Sequence, residues 1–224
     1  MKKYKVFIAF DTTDIRKIKK IIKETQNTKV FFGYKFGLEF LNSKNGRKFI
    51  KSLKNQTIFG DYKFSDIPNT CSSAIRAVSD LNFNYLTVHI SAGLDALRAA
   101  KKVSKRTKLI GVTILTSLDN KSLKEIGYNK DVKKLVLHQA KLATKAKLDA
   151  IVCSGQEIKI VKRVFKGEII TPGIRFSSRH DDQKRISTPK KAYENGVDWC
   201  VIGRNITKGN IKKNIQSLIK HLNQ

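Results

Sequence analysis

Charged residues that could do chemistry are concentrated after one short apolar run of the sequence. Asp61, Lys63 and Asp66 lie within the stretch FGDYKFSDIPNT, which occupies positions 59–70 and follows Ile58. Charged groups at the end of a buried strand are costly unless they pair with one another. The flanking carboxylates should keep Lys63 protonated, and nearby ammonium groups should keep the aspartates ionised. Titratable groups tuned by their neighbours in this way are typical of acid–base catalysis.

Lys35 is the fourth member of this charged set. Asp61 and Lys63 are two residues apart, so on a strand they point to the same side, roughly 6–7 Å apart along it. If that side is the interior of a barrel, both meet Lys35 from the neighbouring strand, and the charges of the four residues alternate in sign. A structural ion-pair network or a solvated loop is the alternative for any one of them. Four alternating charges at adjacent strand ends favour a catalytic site.

The elements that must hold these residues are short β-type runs that alternate with amphipathic helices. Eight runs rich in Val, Ile, Phe and Tyr are predicted as buried strands, at positions 6–10, 30–35, 57–63, 85–89, 109–114, 150–153, 168–171 and 199–203. Between them, apolar residues recur at helical spacing with lysines on the opposite face. Eight strands, each followed by a helix, predict an α/β fold, a (β/α)8 TIM barrel that forms a single domain over residues 1–224. A doubly wound open sheet is the alternative.

A second polar group follows the last two predicted strands. In such barrels the active site lies at the C-terminal ends of the strands, and the loops after strands 7 and 8 commonly bind phosphate. Gly203 offers an amide with no side chain in the way, and Arg204 offers a forked donor for phosphate oxygens. The polar segment from Arg175 to Thr188 is long for a barrel loop, and long loops often act as lids. An ordinary surface loop is the alternative.

Composition argues against several other classes of protein. No run approaches the ~18 apolar residues of a transmembrane helix, and the first apolar run, at 6–10, is too short for a signal peptide. The three cysteines form no CxxC pair and the histidines no HExxH motif, so we predict a cytoplasmic protein without a metal. A net charge of +28 is typical of nucleic-acid-binding proteins, but only 10 of the 46 basic residues are arginine and they are scattered. We therefore expect no nucleic-acid partner and no membrane partner.

Nine short motifs, in order along nearly the whole chain, resemble those of the orotidine 5′-phosphate decarboxylase family. FGDYKFSDIPNT is similar to the family signature FLDLKFHDIPNT, while AFD at 9–11 and KFGLEF at 35–40 are similar to ALD and KVGxELF. The other matches are TVHISAG at 87–93, VTILTS at 112–117, IVCSGQE at 151–157, TPGIR at 171–175, DQKRISTP at 182–189 and VIGRNIT at 201–207. One short motif could arise by chance, but nine in order are highly specific.

The resemblance implies a cofactor-free homodimer that converts orotidine 5′-phosphate to UMP and CO₂ in de novo pyrimidine synthesis. Lys63 would be the catalytic acid that protonates C6 of the pyrimidine, and Asp61 would hold Lys63 beside the substrate carboxylate. The implied substrate contacts are Lys35 and Asp11 at the ribose, Thr116 at the pyrimidine, Asp66, Ile67 and Thr70 at the ribose of the partner subunit's site, and Arg175, Gln183, Gly203 and Arg204 around the phosphate and its loop.

Two other functions remain open at this point. A magnesium-dependent sugar-phosphate decarboxylase or aldolase also carries an Asp-x-Lys-x-x-Asp strand, although DIPNT and the TPGIR…DQ segment favour the orotidylate enzyme. A nucleic-acid-binding or otherwise non-catalytic protein that kept the fold is the second, and the intact charged set argues against it. The chain departs from the family pattern at Gly60, Tyr62 and Ser65, and we expect these changes to affect packing more than reaction type.

Overall fold

Eight parallel strands close into a barrel, paired in chain order with the last strand against the first. The computed structural model describes residues 4–26, 28–176 and 185–223. The strands are β1 (Lys5–Phe10), β2 (Phe31–Phe36), β3 (Ile58–Phe64), β4 (Tyr85–His89), β5 (Lys108–Val112), β6 (Ala150–Val152), β7 (Glu168–Thr171) and β8 (Trp199–Ile202). The predicted single-domain (β/α)8 TIM barrel is therefore confirmed, and the open-sheet alternative is wrong.

Helices surround the strands because each presents an apolar face to them. They are α1 (Ile15–Thr25), α2 (Leu38–Leu41), α3 (Gly46–Ser52), α4 (Pro68–Ala77), α5 (Leu94–Val103), α6 (Asn120–Glu125), α7 (Val132–Lys145), α8 (Ile158–Lys162), α9 (Pro189–Glu194), α10 (Arg204–Thr207) and α11 (Ile211–Asn223). In α1, Ile18 and Ile21 are fully buried, and Asp14 caps the helix by accepting the Lys17 amide at 3.1 Å. Within the described ranges, no helix has the length and apolar character needed to cross a membrane.

The predicted strand bounds agree with the structure to within one residue, except where β5 ends. The sequence pattern predicts that this strand continues to position 114, but in the structure the strand ends at Val112. Beyond this end, the carbonyl oxygens of Ile114 and Leu115 accept hydrogen bonds from the Arg185 side chain. The two carbonyl groups that follow the strand are thus bound by a side chain from a distant part of the chain and not by strand pairing.

The barrel interior changes from large aromatic side chains at its N-terminal end to small and charged ones at its C-terminal end. On β1, Phe7 and then Ala9 point inward, and Asp11 follows at the rim. The Phe7 ring stacks on Trp199, with ring centroids 4.0 Å apart. The same order recurs along β8, in Trp199, Val201 and Gly203. The alternation of side chains along the strands thus fills the bottom of the barrel and leaves its C-terminal mouth open.

Gly33 on β2 leaves space for the aromatic side chains at the N-terminal end of the barrel. A β-carbon at position 33 would lie 2.6 Å from a ring carbon of Phe7, closer than real atoms approach. Phe7 also meets Phe59 and Tyr85 edge-on, with centroids 5.1 and 5.3 Å away. The glycine therefore permits the packing that supports the mouth of the barrel from below.

Candidate active site

A cavity of about 280 Å³ opens at the C-terminal ends of the strands. It is lined by residues from β1, β2 and β3 and from the ends of β5 to β8. Lys35, Asp61 and Lys63 lie in its wall, and so do Arg175 and Arg204 from the loops after β7 and β8. The structure thus brings together the two polar groups that the sequence predicted separately. The volume of the cavity is close to the lower end of the range for sites that bind small molecules.

One oxygen of Asp61 binds two ammonium groups in the cavity wall. Asp61 Oδ2 lies 3.0 Å from Lys35 Nζ and 2.8 Å from Lys63 Nζ. The side chains of Lys35 and Asp61 are 13% and 11% exposed, whereas that of Lys63 is 32% exposed. Lys63 is therefore the member of this trio that a bound molecule reaches most easily. Its ammonium group is held by Asp61, which is itself bound by Lys35.

The two lysines control the charge of Asp61. Burial raises the pKa of this carboxyl, but the attraction of Lys35 and Lys63 outweighs burial and lowers the pKa to about 2. Burial likewise opposes a charge on Lys35, and the carboxylates of Asp61 and Asp11 outweigh it, so the pKa of Lys35 is raised. At neutral pH, Asp61 is a carboxylate and Lys35 an ammonium.

The strand that carries Asp61 and Lys63 departs from regular β geometry between them. Residues 60–64 of β3 span the length that residues 86–88 cover on β4, so β3 bulges there. Lys63 has a φ of 53°, in the left-handed region that residues with a side chain rarely adopt. The two charges meet, as predicted. They are brought together by a bulge in β3, however, and not by the regular alternation of side chains along a strand.

Thr87 on β4 supports this bulge, and sequence reasoning missed it. Its fully buried hydroxyl accepts the Lys63 amide at 2.8 Å and donates to Asp61 Oδ1 at 3.1 Å. One side chain therefore holds both the strained backbone of Lys63 and the second oxygen of Asp61. The available signal was a threonine placed between the apolar residues Leu86 and Val88 of a buried strand.

The opposite side of the cavity carries the predicted phosphate residues. Arg175 is 9% exposed, and its Nη1 donates to the Ile174 carbonyl at 2.9 Å. Gly203 directly precedes α10, and a β-carbon there would lie in ordinary contact 3.5 Å from Ala9 and Asp11. A glycine at this position leaves the space above its amide open to the cavity.

Among the described residues, two further predicted residues line the cavity and three do not. Asp11 and Thr116 lie in its wall. Three predicted residues, Asp66, Ile67 and Thr70, are exposed at the start of α4 and do not line it. Asp66 Oδ1 accepts the Ile67 amide at 2.7 Å, and Ile67 is 66% exposed, which is unusual for a large apolar side chain. Gln183 lies outside the described residues, as does the middle of the segment predicted to be a lid.

The departures from the family pattern lie away from the charged trio. A β-carbon on Gly60 would lie 2.7 Å from Leu86 and 3.0 Å from Phe83, so these side chains occupy the space that a larger residue at position 60 would need. The Tyr62 ring stacks on Phe64 at 4.8 Å, and Ser65 is exposed in the turn after β3. All three positions contribute to packing or to the turn surface.

A buried ion pair beside the cavity is the second feature that sequence reasoning missed. Arg185 Nη1 lies 2.7 Å from Glu157 Oε1, and the two side chains are 9% and 5% exposed. Both residues belong to the motifs quoted above, but a polar segment that resembles a surface loop gave no sign that its arginine is buried. Within the described residues, no group of three or more His, Cys, Asp or Glu is arranged to hold a metal ion.

The chain is similar in sequence and in fold to several known proteins. Residues 4–215 match the family described as "Orotidine 5'-phosphate decarboxylase / HUMPS family". A protein from Wolbachia sp. subsp. Brugia malayi (strain TRS), named orotidine 5'-phosphate decarboxylase, is 42% identical over 96% of each chain. One of the same name from Prochlorococcus marinus (strain MIT 9215) is 40% identical over 91% of this chain and 89% of its own. The crystal structure of orotidine 5'-phosphate decarboxylase from Lactobacillus acidophilus is 30% identical, with a TM-score of 0.83 over 99% of this chain and 100% of that one.

Proposed function

The chain belongs to the orotidine 5'-phosphate decarboxylase / HUMPS family, and from that premise we propose that Lys63 is the acid which completes the decarboxylation of orotidine 5′-phosphate. The activity is that of a carbon–carbon lyase in UMP biosynthesis. The observation that carries the proposed role is the pair of ammonium groups on one oxygen of Asp61, with the more exposed of them, Lys63, in the wall of the cavity.

The reaction breaks the bond between C6 of the pyrimidine and its carboxylate. CO₂ leaves without the bonding electron pair, so C6 becomes a carbanion with no adjacent electron sink. The Lys63 ammonium stabilises this charge and then transfers a proton to C6, which gives UMP and a neutral amine that regains its proton from water. Asp61 lies beside the departing carboxylate and orients Lys63, and Lys35 keeps Asp61 ionised.

The phosphate supplies binding energy far from the reacting carbon. Arg175, Arg204 and the Gly203 amide line the side of the cavity formed by the loops after β7 and β8, where a phosphate can accept several hydrogen bonds. We place Gln183 in the same set, Asp11 and Lys35 at the ribose, and Thr116 at the pyrimidine. Because the phosphate does not react, its binding energy can be used to hold the pyrimidine against Lys63.

An ultraviolet assay of orotidine 5′-phosphate loss tests the role of Lys63. Lys63→Ala should lower kcat by at least roughly 10²–10⁴-fold, since proton transfer alone contributes that much. Lys108→Ala is the matched control, because Lys108 pairs with Glu168 at the opposite end of the barrel. Equal rates for wild type and Lys63→Ala would refute the assignment. Activity that EDTA abolishes would instead favour the metal-dependent sugar-phosphate reaction.

We also propose that the protein is a homodimer in which Asp66 and Thr70 complete the partner's site. The support is that both residues, with the apolar Ile67 between them, are exposed beside the cavity without lining it. Mixing Lys63→Ala with Asp66→Ala subunits tests this, because half of the dimers would contain one intact site. The mixture should regain about a quarter of wild-type activity. A mixture no more active than its two components would contradict shared sites.

The cytoplasmic location and the absence of a nucleic-acid partner remain predictions. Buried, free Cys71, Cys153 and Cys200 are consistent with a reducing compartment.

A further inference from the structure

Arg185 and Glu157 form a buried ion pair that has no part in the reaction described above. Arg185 as a whole is 7% exposed and Glu157 4%. Both charges lose their hydration when they are buried this deeply, and the free-energy cost can exceed the attraction between them. The role of the pair is therefore indicated by the other groups that its two side chains bind.

Within the described residues, the other side-chain hydrogen bonds of the pair lead to the cavity wall. Arg185 Nη2 donates to the carbonyl oxygens of Ile114 at 2.9 Å and Leu115 at 3.0 Å, and both of these residues line the cavity. The second oxygen of Glu157 accepts the Ser154 amide at 3.0 Å, directly after the cavity residue Cys153. The pair thus ties the end of β5 to the end of β6, just before Thr116.

The backbone near Arg185 is also tied to the phosphate side of the cavity. The Arg175 amide donates to the Ser187 carbonyl at 2.9 Å, and the Ser187 amide donates to the Gly173 carbonyl at 3.0 Å. Gly155 allows this close approach, since a β-carbon there would lie 2.4 Å from that of Ser187. Residues 185–187 therefore contact the backbone that carries Arg175 and the backbone that leads to Thr116.

We propose that Arg185 is a positioning residue that sets the spacing between the phosphate side and the pyrimidine side of the cavity, through its ion pair with Glu157 and its bonds to residues 114 and 115. This inference rests on the proposed function, which assigns Arg175 to the phosphate and Thr116 to the pyrimidine. The guanidinium group of arginine is a planar fork, so one of its nitrogens can bind the carboxylate while another binds two carbonyl groups. The single ammonium group of lysine does not have this geometry. Arg185 touches neither substrate nor the reacting atoms in this scheme.

Four variants separate positioning from simple stability. Arg185→Gln and Glu157→Gln each leave one buried charge without its partner, so both should melt at lower temperature than wild type. The double variant Glu157→Gln/Arg185→Gln removes both charges and should recover much of that loss. Arg185→Lys keeps the charge but not the fork, and it provides a folded protein if the single Gln variants fail. Lys101→Met is the control, because it breaks the Lys101–Asp149 ion pair at the N-terminal end of the barrel.

Positioning predicts that activity does not follow stability. Assayed well below their melting temperatures, Arg185→Lys and the double variant should lose roughly 10–100-fold in kcat/KM, as expected for a displaced wall, while Lys101→Met stays within about twofold of wild type. Both should also bind UMP more weakly than Lys101→Met does. Recovery of wild-type kcat/KM in the double variant, or unchanged kcat/KM in Arg185→Lys, would overturn the proposal. Wild-type protein that binds UMP yet forms none would overturn the proposed function, and the UMP affinities of the variants would still decide whether Arg185 sets the cavity.

Discussion

Replacing Asp61 with asparagine should destabilise the folded protein as well as stop the reaction. The carboxylate accepts from Lys35 and Lys63 at 3.0 and 2.8 Å through the same oxygen. Without its charge, two ammonium groups within about 6 Å repel one another by about 3 kcal/mol at an effective dielectric constant of ~20. Relaxation of the more exposed Lys63 toward solvent reduces this value.

The pKa of Asp61 gives a second measure of the same effect. It is about 2 in the folded protein against an ordinary value of 3.8. That difference corresponds to about 2–3 kcal/mol of stability at neutral pH from the ionised carboxylate. The two values agree in size, so we expect Asp61→Asn to lower the free energy of unfolding by about 2–4 kcal/mol at pH 7.

The dependence on pH distinguishes this explanation from a packing defect. Because the folded-state pKa is the lower one, the contribution of Asp61 is complete above the unfolded-state value and is lost as the pH falls toward 2. About half of it should remain at pH 3. The difference in unfolding free energy between wild type and Asp61→Asn should therefore shrink between pH 7 and pH 3.

Urea unfolding followed by the fluorescence of Trp199, the single tryptophan, measures this difference. All samples should be at one protein concentration, since dimerisation would make stability depend on it. Glu125→Gln removes a negative charge from an exposed helix end and should show little effect at either pH. A difference below about 0.5 kcal/mol at pH 7, or one that does not change with pH, would refute the electrostatic explanation.

Two further substitutions test the supports of the site. Thr87→Val removes both hydrogen bonds of a fully buried hydroxyl, so unfolding should be easier by about 1–3 kcal/mol and kcat should fall with little change in KM. Thr107→Val, which removes one hydrogen bond to the Phe83 carbonyl, should leave kcat unchanged; an unaltered kcat in Thr87→Val would contradict the supporting role. Gly203→Ala introduces a methyl group that fits beside Ala9 and Asp11, so the protein should still fold while KM rises at least about tenfold through crowding of the phosphate. An unchanged KM would show that the phosphate lies elsewhere.

The strands could be predicted from the sequence because their signal is local. Each strand is a short apolar run, and the inward positions of β1 pass from Phe7 to Ala9 to Asp11 within five residues. That order already specifies a filled floor and a polar mouth. The pairing of Lys35 with Asp61 followed from the same rule, because neighbouring parallel strands bring their C-terminal ends together.

The contact between Asp61 and Lys63 was predicted correctly for an incomplete reason. Regular strand alternation places two such side chains on one side but leaves them well apart along the strand. In the structure the bulge in β3 and the left-handed backbone of Lys63 bring the ammonium to 2.8 Å from the carboxylate. A bulge depends on the partner strand, so the residues of β3 alone do not reveal it.

By itself, then, the sequence determined the barrel class, the family and the charged residues at its mouth, since these depend on residue type and on spacing over a few positions. The tertiary structure alone decided that Thr87 holds the Lys63 backbone and that Arg185 meets Glu157 and the end of β5. Those contacts join segments 24, 28 and 71 residues apart. Their geometry is fixed by the register of neighbouring strands and by the path of loops over the barrel, which arise when the whole chain packs and not from any short stretch of it.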